Sequence, residues 1–179
     1  MNDKIKLKDK EFEIYIRRSE IDDILEQMAL RLNEDMAGKD VMFLAILNGA
    51  FMFAADIIRK MDFKPRISFL KLASYSGASS TGNVKQLIGL NENLKGMSVI
   101  VLEDIVDTGF TMDNIIRQIK GFEPDEVKIC TFLYKPSAYK GDIDIDYVGR
   151  EIPNDFVVGY GLDYDGYGRH LKGIYRIIK

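Results

Sequence analysis

The chain alternates short apolar runs with helical patterns, and that alternation restricts its fold more than any other feature. Val41 to Leu47, Arg66 to Ala73, Val99 to Leu102 and Val127 to Tyr134 have the length and composition of strands. Between and before them, residues 19–37, Ala50 to Met61 and Thr111 to Gly121 carry apolar residues at helical spacing. Strands buried on both faces read as continuous apolar runs, and joining them through helices gives right-handed crossovers in a largely parallel sheet. The predicted class is α/β, with a mainly parallel central sheet flanked by helices. In the first helix Ser19 is the expected N-cap and Gly38 the stop, with Ile21, Ile24, Leu25, Met28 and Leu32 on one face.

The run VMFLAILNGAFMFAADII, 41–58, is apolar enough to resemble a membrane span, but Asn48-Gly49 breaks it and Asp56 lies in its second half. A span needs about 20 unbroken apolar residues; strand, turn and helix is the better description. Residues 74–83, SYSGASSTGN, are small, polar and glycine-bearing, which predicts a long mobile loop or hairpin arm. From Lys135 onward the chain is rich in Gly, Tyr and Asp, with short strands expected at Phe156 to Tyr160 and Gly173 to Ile178. The expected organisation is a single domain over 1–179: a core at about 10–134, a smaller hood at about 135–179 joined by the N-terminal segment, and a flexible loop at about 74–86.

Composition narrows the chemistry. A net charge of -3 and few clustered cations argue against a broad nucleic-acid or membrane footprint; the Lys4 to Lys10 cluster reads as a solvated N-terminal segment. One cysteine and one histidine exclude a His/Cys zinc cluster and argue against a Ser-His-Asp triad, leaving carboxylates as metal ligands. The charged N-terminus lacks the apolar segment of a signal peptide, and the lone Cys130 owes nothing to an oxidising compartment, so a cytoplasmic location is expected.

The chemistry concentrates in VIVLEDIVDTGFTM, 99–112. In an open parallel sheet ligands gather beyond the carboxyl ends of strands, and Glu103 and Asp104 are expected at such an end. Behind them Asp107-Thr108-Gly109-Phe110-Thr111 turns into a helix, whose N-terminal amides suit a phosphate. Carboxylates accept hydrogen bonds from ribose hydroxyls and attract magnesium, so a sugar phosphate with a metal fits both halves. An isolated Asp-Thr-Gly would read as an ordinary helix N-cap at Asp107, and an exposed acid pair as a solvated loop, though the latter sits badly at the end of so apolar a strand.

Two acids, two aliphatics and then Asp-Thr-Gly-x-Thr after an apolar strand resembles the signature of the type I phosphoribosyltransferases. Leu47-Asn48-Gly49-Ala50, Ser74-Tyr75, Lys135 and FVVGYGLDYDGYGR at 156–169 resemble the hypoxanthine-guanine branch of that family, over almost the whole chain. The resemblance implies transfer of a phosphoribosyl group from phosphoribosyl pyrophosphate to a 6-oxopurine, giving IMP or GMP and pyrophosphate, in purine salvage. It implies Asp107 as the catalytic base. Glu103 and Asp104 would hold ribose hydroxyls and Mg2+, and Thr108, Gly109, Phe110 and Thr111 the 5′-phosphate, with Phe110 acting through its backbone. Asn48 and Gly49 would line the pyrophosphate, after a peptide bond that can be cis in the family, and Arg169 would clamp it. Lys135 would donate to the purine C6 oxygen, Phe156 would stack on the base and Val157 would offer backbone groups to its 2-position. Asp163 would take a second magnesium or the base edge, and Ser74 and Tyr75 would arrive with a closing loop. His170, Cys130, Tyr164 and Tyr167 receive no catalytic role. A homodimer or homotetramer is the family expectation. Two alternatives stand beside this reading: a xanthine-preferring enzyme, and a noncatalytic nucleotide-sensing, RNA-binding regulator of the same fold.

Overall fold

A computed structural model describes residues 3–75, 84–88 and 90–178, with only the backbone described for 72–75, 84–88 and 111. Six strands form the main sheet. They are β3 (Val41–Leu47), β4 (Arg66–Tyr75), β5 (Val84–Ile88), β6 (Ser98–Val106), β7 (Glu126–Tyr134) and β8 (Tyr147–Glu151). Their order is β5-β4-β3-β6-β7-β8; five run parallel and only β5, at the edge, is antiparallel. Side-chain parity divides the core. Val41, Phe43, Ala45, Ile100 and Leu102 face one side, where α1 (Arg18–Asp35) and α2 (Phe51–Ile58) pack. Met42, Leu44, Ile46, Val99 and Val101 face the other, against Met112, Ile115, Ile116 and Ile119 of α3 (Phe110–Lys120). Alternate side chains of a strand point to opposite faces, so the unbroken apolar runs are what a sheet covered on both sides requires. Cys130 lies at full burial in β7, between Leu102 and Tyr147 of the adjoining strands.

A second, four-stranded antiparallel sheet sits at one end, built from β1 (Lys4–Leu7), β2 (Lys10–Ile16), β9 (Val157–Val158) and β10 (Ile174–Ile177) in the order β1-β2-β10-β9. Its core is Phe12, Val158 and Tyr175.

Several sequence expectations change in detail. The N-terminal segment is a paired hairpin rather than a solvated arm, because Ile5 and Leu7 alternate with its lysines and pack on the Phe12 cluster. Ser19 lies inside α1, not at its cap; Arg17 is the extended cap residue, and its amide donates to Glu20 Oε2 at 2.9 Å. Tyr147–Glu151, placed in the hood from composition, pairs with β7 in the main sheet. The strand expected over Phe156 to Tyr160 stops at Val158, since Gly159, Tyr160 and Gly161 take φ of 99°, 50° and 100°, a left-handed backbone that cannot continue a ladder. Strand β4 runs on through Ser74 and Tyr75, which pair with Lys85 and Val84, so this region begins as a hairpin arm; 76–83 lie outside the described residues.

Candidate active site

Strand β6 continues four residues beyond the apolar run, with Glu103 paired to Thr131 and Ile105 to Leu133. Glu103 and Asp104 therefore belong to the strand and face opposite sides of it, rather than standing side by side beyond its end. Glu103 points to the α3 side. It lines a pocket of about 380 Å3, partly open to solvent, with Asp107, Thr108, Gly109 and Met112. Its Oε2 is shielded from solvent without a hydrogen-bond partner among the described residues. Burial, then the neighbouring Asp104 charge, holds its carboxyl well above the usual carboxylate range. Asp104 points to the α2 side; burial raises its carboxyl too, opposed by the Ile105 amide, 2.9 Å from Oδ1, and by the charge of Arg169.

The turn behind them is set by Gly109, which caps α3 with φ 85° and receives no side-chain capping bond. A Cβ there would stand 2.4 Å from the Tyr139 ring, so packing as well as backbone conformation calls for glycine. Phe110 opens the helix with its side chain 65% exposed, which leaves its amide as the group that faces the turn. Thr108 is exposed, its carbonyl accepting from the Lys140 amide at 3.0 Å. Thr111 lies in the first turn of α3, where only its backbone is described. Asp107 is not an N-cap. Its Oδ2 takes a hydrogen bond from Lys135 Nζ at 2.9 Å, and the same ammonium lies 3.4 Å from Asn154 Oδ1. Lys135 is 7% exposed, so the Asp107 carboxylate neutralises a largely dehydrated cation and the Asn154 amide oxygen helps to orient it.

On the other side of β6 the Leu47-Asn48 peptide is cis. Gly49 follows, and a Cβ on it would overlap Asp104 Oδ2 at 1.5 Å. A Cβ on Gly161 would in turn stand 2.1 Å from the Gly49 carbonyl oxygen, so the two glycines let two backbones and the Asp104 carboxylate close around one point. Arg169 reaches the same place. It donates from Nη1 to the Gly161 carbonyl at 2.7 Å and pairs through Nη2 with Asp163 Oδ1 at 2.6 Å. Asp163 Oδ2 also accepts from the Gly166 amide at 2.7 Å, so both its oxygens are engaged.

Phe156 is 45% exposed and framed by Phe12 and Tyr164, with ring centroids at 6.3 and 5.9 Å, whereas Val157 is buried in β9 opposite Arg176. Ser74 and Tyr75 end β4, and their side chains lie outside what is described. Glu103, Asp107, Thr108, Gly109 and Lys135 thus form one group, and Asp104, Gly49, Gly161, Asp163 and Arg169 another, on the two faces of one strand end. Asn154, Tyr160 and Tyr164 were not among the expected site residues. Tyr164 could be found from its aromatic spacing to Phe156; nothing local marks Asn154.

A parallel sheet whose central strand carries an acid pair into an Asp-Thr-Gly turn and a helix N-terminus defines a class. The family model described as "Phosphoribosyl transferase domain" matches residues 17–165, and the chain belongs to that family. Hypoxanthine phosphoribosyltransferase of Salmonella typhimurium is 36% identical over 170 residues, 93% of this chain and 95% of the relative. Hypoxanthine-guanine phosphoribosyltransferase of Mycobacterium avium is 41% identical over 138 residues, 76% of this chain and 68% of the relative. Among solved structures, a hypoxanthine phosphoribosyltransferase of Staphylococcus aureus superposes with a TM-score of 0.86 at 34% identity, covering 93% of this chain and 91% of that one.

Proposed function

We propose that the chain is a purine salvage enzyme that transfers the 5-phosphoribosyl group of phosphoribosyl pyrophosphate to hypoxanthine or guanine. The carrying observation is the Asp107–Lys135 pair, an acceptor and a donor 2.9 Å apart at the edge of the phosphate turn. A 6-oxopurine presents the matching edge: the C6 oxygen accepts and the adjacent imidazole N–H donates. Adenine puts an amino group where Lys135 needs an acceptor, and the mismatch rejects it.

In this reading the purine nitrogen forms a bond to the anomeric carbon as the carbon–oxygen bond to pyrophosphate breaks, and Asp107 takes the ring proton. Lys135 stabilises the negative charge that moves to the C6 oxygen. The backbone amides of the Thr108 to Thr111 turn hold the 5′-phosphate at the start of α3, Phe156 stacks on the base, and Val157 borders it through its backbone. Gly49 and Arg169 grip the departing pyrophosphate beside Asn48, and Ser74 and Tyr75 belong to the arm that covers it. Positioning and fixed charge supply the rate.

No group of three or more metal-ligating side chains occurs among the described residues. That suits magnesium, which takes one or two carboxylates and completes its shell with substrate phosphates and water. The unpartnered Glu103 Oε2 fits such an ion, as does Asp104, whereas Asp163 would use a lone pair left over from Arg169 and Gly166. Bound there, an ion would neutralise pyrophosphate charge and favour the ionised form of the carboxyl that holds it. The reading includes a cytoplasmic homodimer or homotetramer.

The test is nucleotide formation from phosphoribosyl pyrophosphate and magnesium with hypoxanthine, guanine, xanthine and adenine in turn. IMP and GMP are expected, with no product from adenine and none after chelation. Asp107→Asn should lower kcat by about 10²- to 10⁴-fold. Preference for xanthine or adenine, or an absence of turnover with every base, would overturn the assignment.

A further inference from the structure

Tyr160 precedes the glycine that rests on the Gly49 carbonyl, and it is 2% exposed in a left-handed backbone with φ 50°. Its hydroxyl does not reach the site. It donates instead to Asp56 Oδ2 on α2 at 2.9 Å, and Asp56 is itself 8% exposed. The same Oδ2 accepts from Arg18 Nη1 of α1 at 2.8 Å, while Arg59 pairs with Oδ1. The Arg18 guanidinium lies 5.6 Å from the Tyr160 ring centroid, and Phe132 of β7 packs on the ring at 5.1 Å.

Asp56 is the buried end of these pairs while both arginines reach solvent; such a pair contributes little net stability compared with an apolar replacement, and its best-attested use is to fix one arrangement out of several. Here the arrangement is that of a loop. Helix α2 begins at Phe51, directly after the Asn48-Gly49 turn, and Asp56 rides on that helix. Tyr160 begins the segment that supplies the Gly161 carbonyl to Arg169 and carries Asp163. Linking the two residues sets the distance between the Gly49 backbone and the Arg169 fork.

We propose that the Tyr160 hydroxyl is a positioning group: docked on Asp56, it holds the Gly161 backbone against the Gly49 carbonyl and so fixes the two halves of the pyrophosphate grip in register. This rests on the reading of Gly49 and Arg169 given above. The base side of the site, at Asp107, Lys135 and Phe156, does not depend on this link.

Tyr160→Phe removes the hydroxyl and keeps the ring against Phe132. Steady-state KM for each substrate, calorimetric titration with phosphoribosyl pyrophosphate and magnesium, and thermal unfolding are compared with the wild type. The expected result is a rise of about five- to twentyfold in the KM and Kd for phosphoribosyl pyrophosphate, with KM for hypoxanthine unchanged. Asp56→Leu removes the acceptor from the other end of the same link and should move the same constant in the same direction. Unaltered phosphoribosyl pyrophosphate affinity in the folded fraction of both variants, whatever their melting temperatures, overturns the proposal. Wild-type protein that neither binds nor turns over phosphoribosyl pyrophosphate would sink the functional reading instead.

Discussion

Gly49 leaves no room for a methyl group, because the position a Cβ would take is already filled by the Asp104 carboxylate. Gly49→Ala must push Asp104 or the turn aside. The expected outcome is a fall of at least about 100-fold in kcat/KM for phosphoribosyl pyrophosphate, corresponding to about 3 kcal/mol, with the far-ultraviolet spectrum retained. Asp56 makes a separate prediction about acid. Burial raises its carboxyl, but Arg18, the Tyr160 hydroxyl and Arg59 outweigh burial and bring it below its ordinary value; Asp22 is the other charge that meets Arg18. A depressed carboxyl contributes stability that is complete above the unfolded value, about 4, and is lost as pH falls through the folded one. Asp56→Asn should therefore melt roughly 5 °C lower at pH 7, and the gap should narrow as pH falls below about 4. At this scale the sequence was informative where chemistry is crowded, as in Glu103 to Thr111. It was silent on Tyr160 and Asp56, whose partnership spans 104 residues and leaves no local pattern.

Among the elements, the N-terminal hairpin does more than close a sheet. At its turn Lys8 pairs with Asp165 and Asp9 accepts from the Tyr164 hydroxyl at 2.8 Å, while Tyr164 meets the Phe156 ring edge-on. The hairpin thereby braces the platform expected to carry the base. Tyr164→Leu removes both contacts and should raise KM for hypoxanthine about three- to tenfold, leaving KM for phosphoribosyl pyrophosphate near the wild-type value; steady-state kinetics with each substrate varied in turn decides it. Strand periodicity could have revealed this hairpin, since Phe12, Ile14 and Ile16 alternate with Glu11, Glu13 and Tyr15, but the lysine-rich opening masks it. Polar residues also hid the last part of β6. Apolar patterning ends at Leu102, yet the ladder to β7 continues to Val106, because backbone pairing is indifferent to the charge of the side chains it carries. Strand β8 was obscured by Gly149 and Arg150, which break the apolar pattern of Tyr147–Glu151.

Taken whole, the molecule has an uneven distribution of buried apolar surface. The main sheet is covered on both faces by two large clusters, whereas the smaller sheet has a cluster of its own of only three buried residues, its Ile16, Val157 and Ile174 packing into the main core instead. Local opening follows such differences, so amide exchange should be slowest in β3, β6 and β7 and faster in β1 and β9. Equal protection in both sheets, measured by mass spectrometry of the native protein, would contradict that gradient. The α/β class and the parallel sheet could be read from alternation alone, because each buried run had to satisfy the same two-sided burial. The strand order and register of the smaller sheet could not, since pairings such as Tyr175 with Ile14 join residues near both ends of the sequence and leave no local pattern.

Cys130 is fully enclosed, and burial pushes its thiol far up from its ordinary value, so no thiolate is offered to a reagent while the sheet is intact. An alkylating probe added to the native enzyme should consequently read as a clock for global opening, marking each molecule once, with no engineered label.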